Sequence, residues 1–306
     1  MDSNILTVGD RGKGSMTITG GGVASDAWGI LGNRAGSTGT VTVTGTGSAW
    51  NNSGQLIVGG GGNGTLTISG GGQVSNAYAK IASPPGSVGL VTVTGPGSQW
   101  SNAALDIGTI GTGTLIVNNG GLVSAGTLAN PGRIYIGTQG TVNAKGGTLQ
   151  GNIINDGTLD PLGAAKILGN LTVNPDGTVV LDVAGTQSGQ FGQLDITGSG
   201  TFDGTLDLNF INGFAPVTGD MFDFINLGGS GDFSGLALDI TGLAPGFQYS
   251  DGFSDGAFTL TAQNNGVPTS TPEPGSLALL GTALAGISVF ARLKRRCSSP
   301  NLEAKC

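Results

Sequence analysis

Seventeen aspartates and no histidine bound the chemistry open to this 306-residue chain. Without imidazole there is no Ser–His–Asp triad, no Cys–His pair and no histidine-ligated metal. The closest constellations are the carboxylate pairs Asp203/Asp207, Asp220/Asp223 and Asp251/Asp255. Glycoside cleavage uses such pairs as acid and base. Here, however, Asp203, Asp251 and Asp255 each precede a glycine, and the others alternate with apolar residues. Those are the settings of turn and outer-face aspartates. A lyase would also want a cation beside its base, and residues 157–266 hold only Lys166. The pairs read as structural, and no catalytic residue is expected. Calcium is the one metal with plentiful oxygen ligands, but there is no EF-hand loop or nonapeptide calcium repeat. The run GGGGNG (59–64) lacks the lysine and following helix of a phosphate loop. No metal and no cofactor are expected.

Aromatic side chains are the other candidates for binding chemistry. Trp50 and Trp100 lie 50 residues apart at equivalent positions, and so do Trp28 and Tyr78. Facing outward, they would form two sparse rows able to stack on sugar rings. Facing inward, they are core at a corner, which is the preferred reading.

These residues must be positioned by repeats. GSMTITGGGVAS (14–25), GTLTISGGGQVS (64–75) and GTLIVNNGGLVS (113–124) recur at spacings of 50 and 49, with GTVTVTGTGSAWNNSGQLIVG (39–59) and GLVTVTGPGSQWSNAALDIG (89–108) between them. The two kinds resemble each other, so the unit is about 25 residues of strand, glycine turn, strand, polar turn and strand. A fixed period of this size means a stacked solenoid, here a right-handed parallel β-helix rising about 4.8 Å per coil. Alternation points Met16, Val41, Leu66, Val91 and Leu115 inward, with Ile18, Val43, Ile68, Val93 and Val117 two residues on. Thr17, Thr42, Thr67 and Thr92 fall on the outer face. A third strand repeats the inward pair at Leu6/Val8, Leu56/Val58, Leu105/Ile107 and Ile134/Ile136. An antiparallel sandwich would not explain the strict unit.

From about Gly157 the strands become longer and rich in Asp and Phe. Phe202, Phe210, Phe214, Phe222 and Phe224 supply apolar bulk for a cap, which an open last coil needs. After Gly266 come Pro-, Ser- and Thr-rich residues, then Pro272-Glu273-Pro274 and an uncharged run starting at Leu277. Arg292, Lys294, Arg295 and Arg296 follow, and then CSSPNLEAKC. Residues 277–293 would span roughly 25 Å as a helix, close to the minimum for a bilayer. The cations place its far end in the cytoplasm. A plain anchor or a buried helix would be the simpler readings, although no domain follows to cover a buried one.

The tail resembles the PEP-CTERM sorting signal of Gram-negative bacteria, on Pro272, Glu273, Pro274, LALLGTALAGISVFA and RLKRR. The resemblance implies a membrane-embedded exosortase as partner, cutting near the Pro-Glu-Pro motif during export to the cell surface. VTVTGTGSAWNNSG, VTVTGPGSQWSNA and TLTISGGGQVS resemble PEP-CTERM- and autotransporter-associated β-strand repeats over residues 4–126. QLDITGSGTFDGTLDLNFINGFAPVTGDMFDFI resembles the closing region of autotransporter passengers.

The chain has 61 glycines, 10% charged residues and a net charge of −7. The acidic balance disfavours nucleic acid. Both cysteines, Cys297 and Cys306, lie in the tail, so the body has no disulfide framework. The N-terminus has no apolar leader and opens partway through a repeat. A preceding signal peptide and further repeats are therefore expected.

The expected fold is all-β: a right-handed parallel β-helix with a β-rich C-terminal cap and a single C-terminal transmembrane helix. The expected divisions are β-helix repeats over 1–156, the cap over 157–263, a linker over 264–275, the sorting helix and basic stop over 276–296, and a tail over 297–306. The expected function is a non-enzymatic exported surface or matrix protein serving biofilm or adhesion. It would be membrane-anchored during export and then at the cell surface or outside, with the inner membrane and extracellular polysaccharide as further partners. The alternative is a polysaccharide-binding or polysaccharide-degrading β-helix enzyme.

Overall fold

The computed structural model describes residues 4–268, which form one compact unit with no helix. Three parallel sheets run the length of it, and each coil contributes one strand to each sheet. The first coil is Ile5–Val8, Lys13–Ile18 and Val23–Asp26, and the second is Trp28–Leu31, Thr38–Thr44 and Ala49–Asn52. The third is Gln55–Val58, Asn63–Ser69 and Gln73–Ser75, and the fourth is Tyr78–Ile81, Val88–Thr94 and Gln99–Asn102. Ten strands stack in the first two sheets and eleven in the third.

The inward columns are those that alternation predicts. Met16, Val41, Leu66, Val91 and Leu115 lie in register, as do Ile18, Val43, Ile68, Val93 and Val117. Val43 and Ile68 are fully buried neighbours on adjacent coils. Thr17, Thr42, Thr67 and Thr92 stack on the outer face. Each coil is too thin to bury its own apolar residues, so the core exists only as columns shared between coils.

The 50-residue super-period has a packing cause. Trp50 and Trp100 are fully buried in the third sheet. On the same coils the first sheet offers Gly29 and Ala79, where the third and fifth coils have Leu56 and Leu105. Those coils in turn carry Val74 and Val123 where the others have tryptophan. Large faces small in each of these four cross-sections, which keeps their core volume constant. A Cβ on Gly29 would meet Trp50 Cζ2 at 2.7 Å and Leu56 Cδ1 at 2.8 Å. Gly29→Leu is therefore expected to cost about 1–3 kcal/mol by overpacking, and Trp50→Val about 3 kcal/mol through the cavity it leaves. The double variant rebuilds the cross-section of the third coil and should recover most of both losses. Denaturant titration of the four proteins checks this; strict additivity would contradict the volume argument.

The corners are tied from the coil above. Ser48 and Ser98 are buried, and their Oγ atoms accept the Gly21 and Gly71 N–H groups at 3.1 Å. Gly21 and Gly71 have φ of 80° and 86°, which a side chain would strain. This explains the pairing of GGG on one coil with TGxGS on the next.

The division expected at residue 156 is not a division of the fold. All three sheets cross it without a break, through Asn152–Asn155, Thr158–Asp160 and Ala164–Leu168, and the parallel coils continue to Ala237–Thr241. Closure comes later and is antiparallel. Ala257–Ala262 pairs with Met221–Leu227, and Tyr249–Ser254 pairs with Ala257–Ala262. A bulge between Asp223 and Ile225 turns both Phe224 and Ile225 inward. Phe202, Phe210, Phe222 and Phe224 are buried and Phe214 partly so. Phe202 stacks on Phe233 at 4.5 Å, and Phe222 on Phe224 at 5.6 Å. In the first described coil the inward residues Leu6, Met16 and Ala24 are only partly buried, whereas Leu56, Leu66 and Val74 deeper in the same columns are fully covered.

Candidate functional site

Folded, the aspartates of the three pairs occupy turns, a hairpin and outer strand faces. Asp203 lies in the turn before the strand Thr205–Phe210, with Asp207 on that strand's outer face. Asp220 Oδ2 accepts the Val217 N–H at 2.9 Å as a turn residue, while Asp223 stands exposed on its strand. Asp251 is in the closing hairpin and Asp255 at its tip with φ of 52°.

Register brings together aspartates that are far apart in sequence. Asp207 stacks on Asp239, with Asp160 and Asp182 close by on the outer face of the second sheet. Burial, followed by the charges of Asp239 and Asp182, pushes the Asp207 carboxyl above its ordinary range. Burial also raises Asp160, with Asp182 adding to it. Asp207 Oδ1 is buried without a partner. A carboxyl raised in the folded state contributes stability that is complete below its unfolded pKa and is lost as pH rises through the folded value. These coils should therefore tighten on mild acidification. Asp207→Asn should add about 1 kcal/mol at neutral pH and flatten that dependence. Thermal melts from about pH 4 to 8 would test this; a variant less stable than the parent at neutral pH would contradict it. Among the described residues no group of three or more His, Cys, Asp or Glu is arranged to hold a metal. From Ile167 to Pro268 there are eleven aspartates and no Lys or Arg.

The aromatic candidates divide. Trp50 and Trp100 offer no ring face to a ligand. Trp28 is 46% exposed and Tyr78 half-buried, both on the outer face of the first sheet. Around Tyr78 lies a network that repeat reading alone did not reveal. The Tyr78 hydroxyl and Arg133 both donate to Asp106, the latter at 2.6 Å. Two coils beyond Tyr78, Tyr135 donates to Asp156 at 2.5 Å, and Asn174 Nδ2 donates to the same carboxylate at 2.6 Å. Arg133 also lies 5.2 Å from the Tyr135 ring centre. Burial, then the bond to Asp106, pushes the Tyr78 hydroxyl up to about 12. The bond to Asp156, then burial, does the same for Tyr135, also to about 12. Both hydroxyls therefore remain proton donors at any physiological pH. Cross-coil partners at spacings of 21 to 28 residues are invisible without register.

No helix long and apolar enough to cross a membrane occurs among the described residues. The apolar run 277–293, the motif Pro272, Glu273 and Pro274, and the cations Arg292, Lys294, Arg295 and Arg296 all lie outside them.

No curated protein matches the sequence. Among solved structures, the crystal structure of a TibC-catalyzed hyper-glycosylated TibA fragment is similar, at 16% identity and a TM-score of 0.31, covering 79% of this chain and 93% of that one. Residues 270–296 match the PEP-CTERM protein-sorting motif. The chain thus carries a PEP-CTERM sorting signal, which implies export to the cell envelope or surface and processing by an exosortase membrane enzyme.

Proposed function

We propose that the protein is a non-enzymatic surface or matrix component, a right-handed solenoid rod displayed outside the cell and contributing to adhesion or biofilm. The observation that carries the reading is the joining of a sorting motif at 270–296 to a rod whose core is continuous over nine complete coils. In this reading, residues 276–296 cross the inner membrane once and hold the rod outside while the Pro-Glu-Pro motif is presented for cutting. The rod's action is geometric, an extended outer face with Thr columns and no reactive centre.

Contact with a polysaccharide is a second reading. It is favoured by exposed Trp28 and by the Tyr78–Asp106–Arg133 network on the same sheet face. We take the mode as binding, since those aspartates occupy turns, a hairpin and outer strand faces as structural aspartates do.

Surface display tests the proposal. In an exosortase-positive host that exports the full chain behind a leader, protease added to intact cells should digest the rod. Removal of residues 270–306 should abolish retention at the envelope. A rod protected inside intact cells, or envelope retention unaffected by loss of the tail, would overturn it.

A further inference from the structure

Asp26 and Asn76 occupy the same place in successive 50-residue repeats, and the structure treats them differently. In the later repeat every polar atom of the corner is satisfied. Trp100 Nε1 donates to Asn76 Oδ1 at 2.8 Å, and Asn76 Nδ2 donates to Asn102 Oδ1 at 2.7 Å. Asn102 Nδ2 in turn donates to the Ser124 carbonyl at 3.2 Å. In the earlier repeat Trp50 Nε1 donates to Asp26 Oδ2 at 2.7 Å, as expected by equivalence. Asp26 Oδ1 then stands where Asn76 has its amide nitrogen, and Asn52, its register partner, stands where Asn102 does. Asp26 Oδ1 and Asn52 Oδ1 are both buried, and neither has a partner. Two acceptors occupy positions that in the later repeat hold a donor and an acceptor.

Turning the Asn52 amide over does not cure this. Its Nδ2 faces the Ser75 carbonyl at 3.5 Å, as Asn102 Nδ2 faces Ser124, so the turned amide would set two oxygens against each other there. The corner lacks one donor hydrogen, and the carboxyl of Asp26 is the group able to carry it.

We propose that Asp26 is protonated in the folded protein and donates to Asn52 Oδ1, so that the first two coils are held by an acid-dependent clip whose counterpart, Asn76–Asn102, works at every pH. Burial of the carboxyl, which raises its pKa against the lesser opposing effect of the Trp50 hydrogen bond, acts in the same direction. Among the described residues no charged group competes. The strands packed on it, Ile5–Val8, Trp28–Leu31 and Ala49–Asn52, carry none. On its own coil Lys13 opens the second strand, and Asp10 and Arg11 sit in the preceding turn. The clip joins the first two described coils, where Asp26 and Asn52 lie in register. As pH rises through the raised pKa, the proton leaves, the clip is lost and these two coils loosen. Below the ordinary aspartate range its contribution is complete.

Hydrogen exchange on the full chain, corrected for intrinsic rates, reads this directly. In the parent, protection of the first two coils relative to the third and fourth should fall with rising pH, by up to about tenfold per unit inside the window. In Asp26→Asn the same coils should stay as protected at high pH as the parent is at low pH. Asn76→Asp should move the pH dependence to the third and fourth coils. PH-independent protection in the parent, or weaker protection in Asp26→Asn, would overturn the proposal. If Asn76→Asp does not fold, infrared difference spectra decide. The parent minus Asp26→Asn, taken at the pH of greatest protection, should show a protonated-carboxyl C=O band, and its absence would also refute the clip.

Discussion

Val43→Asp is expected to unfold the N-terminal coils. Val43 is fully buried between Val41 and the turn, stacked on Ile18 below and Ile68 above. An aspartate there would put a carboxylate into a column with no donor on any side. Burying such a group costs several kcal/mol even after the structure relaxes. The stability of a solenoid is a sum of coil and interface terms, and this single position belongs to two interfaces. The first two coils should therefore melt ahead of the rest, giving a biphasic transition in place of the parent's cooperative one. Circular dichroism with limited proteolysis would show residues near 5–45 cut first. Thr42→Asp is the control. Thr42 faces outward one residue away, so that variant should change stability by no more than about 0.5 kcal/mol. Equal effects at the two positions would mean that the inward and outward columns are misassigned.

The second large effect concerns the tail. Replacing Pro272, Glu273 and Pro274 by alanine should leave membrane insertion intact but block release of the rod. Proline disfavours helix at itself and at the residue before it, so in the proposed reading the motif would present an extended substrate to a membrane protease. A permanent anchor has no use for that feature. As a helix, the apolar run would barely be long enough to span, and it contains Gly281 and Gly286, so it would make a weak anchor. Fractionation of cells and medium would separate the cases. Release undiminished by the triple substitution would remove the motif from the mechanism.

Much of this architecture is legible in the sequence because two periods coincide. The alternation of Leu, Val and Ile with Thr fixes which residues point inward, and the recurrence of GGG and TGxGS fixes where each coil turns. Together they locate Val43 against Ile68 without coordinates. The continuation beyond residue 156 is hidden for the complementary reason. The inward residues persist, through Leu159, Val179 and Leu206, but the turn signatures vanish. Coil length changes too, shortening between Arg133, Asn152 and Leu171 and lengthening to Gly200 and Gly231. A solenoid tolerates such changes because extra residues leave at corners, as at 184–192. The Trp50 and Gly29 exchange of volume is written in the super-period, yet its meaning needs the two strands placed on one coil. The Asp207–Asp239 contact and the Tyr78–Asp106–Arg133 network depend wholly on register, which composition does not carry. Asp26 is an intermediate case. Its offset from Trp50 equals that of Asn76 from Trp100, so the substitution is visible in the sequence, and only burial shows what it does.

The tail is proposed to be a sorting device that leaves the exported rod. Mass spectrometry of protein released from an exosortase-positive host, expressing the full chain behind an export leader, tests this most directly. The account predicts chains ending near Pro272-Glu273-Pro274, with no peptide from the apolar run or the basic cluster. Recovery of released chains that extend intact through Cys306 would contradict it.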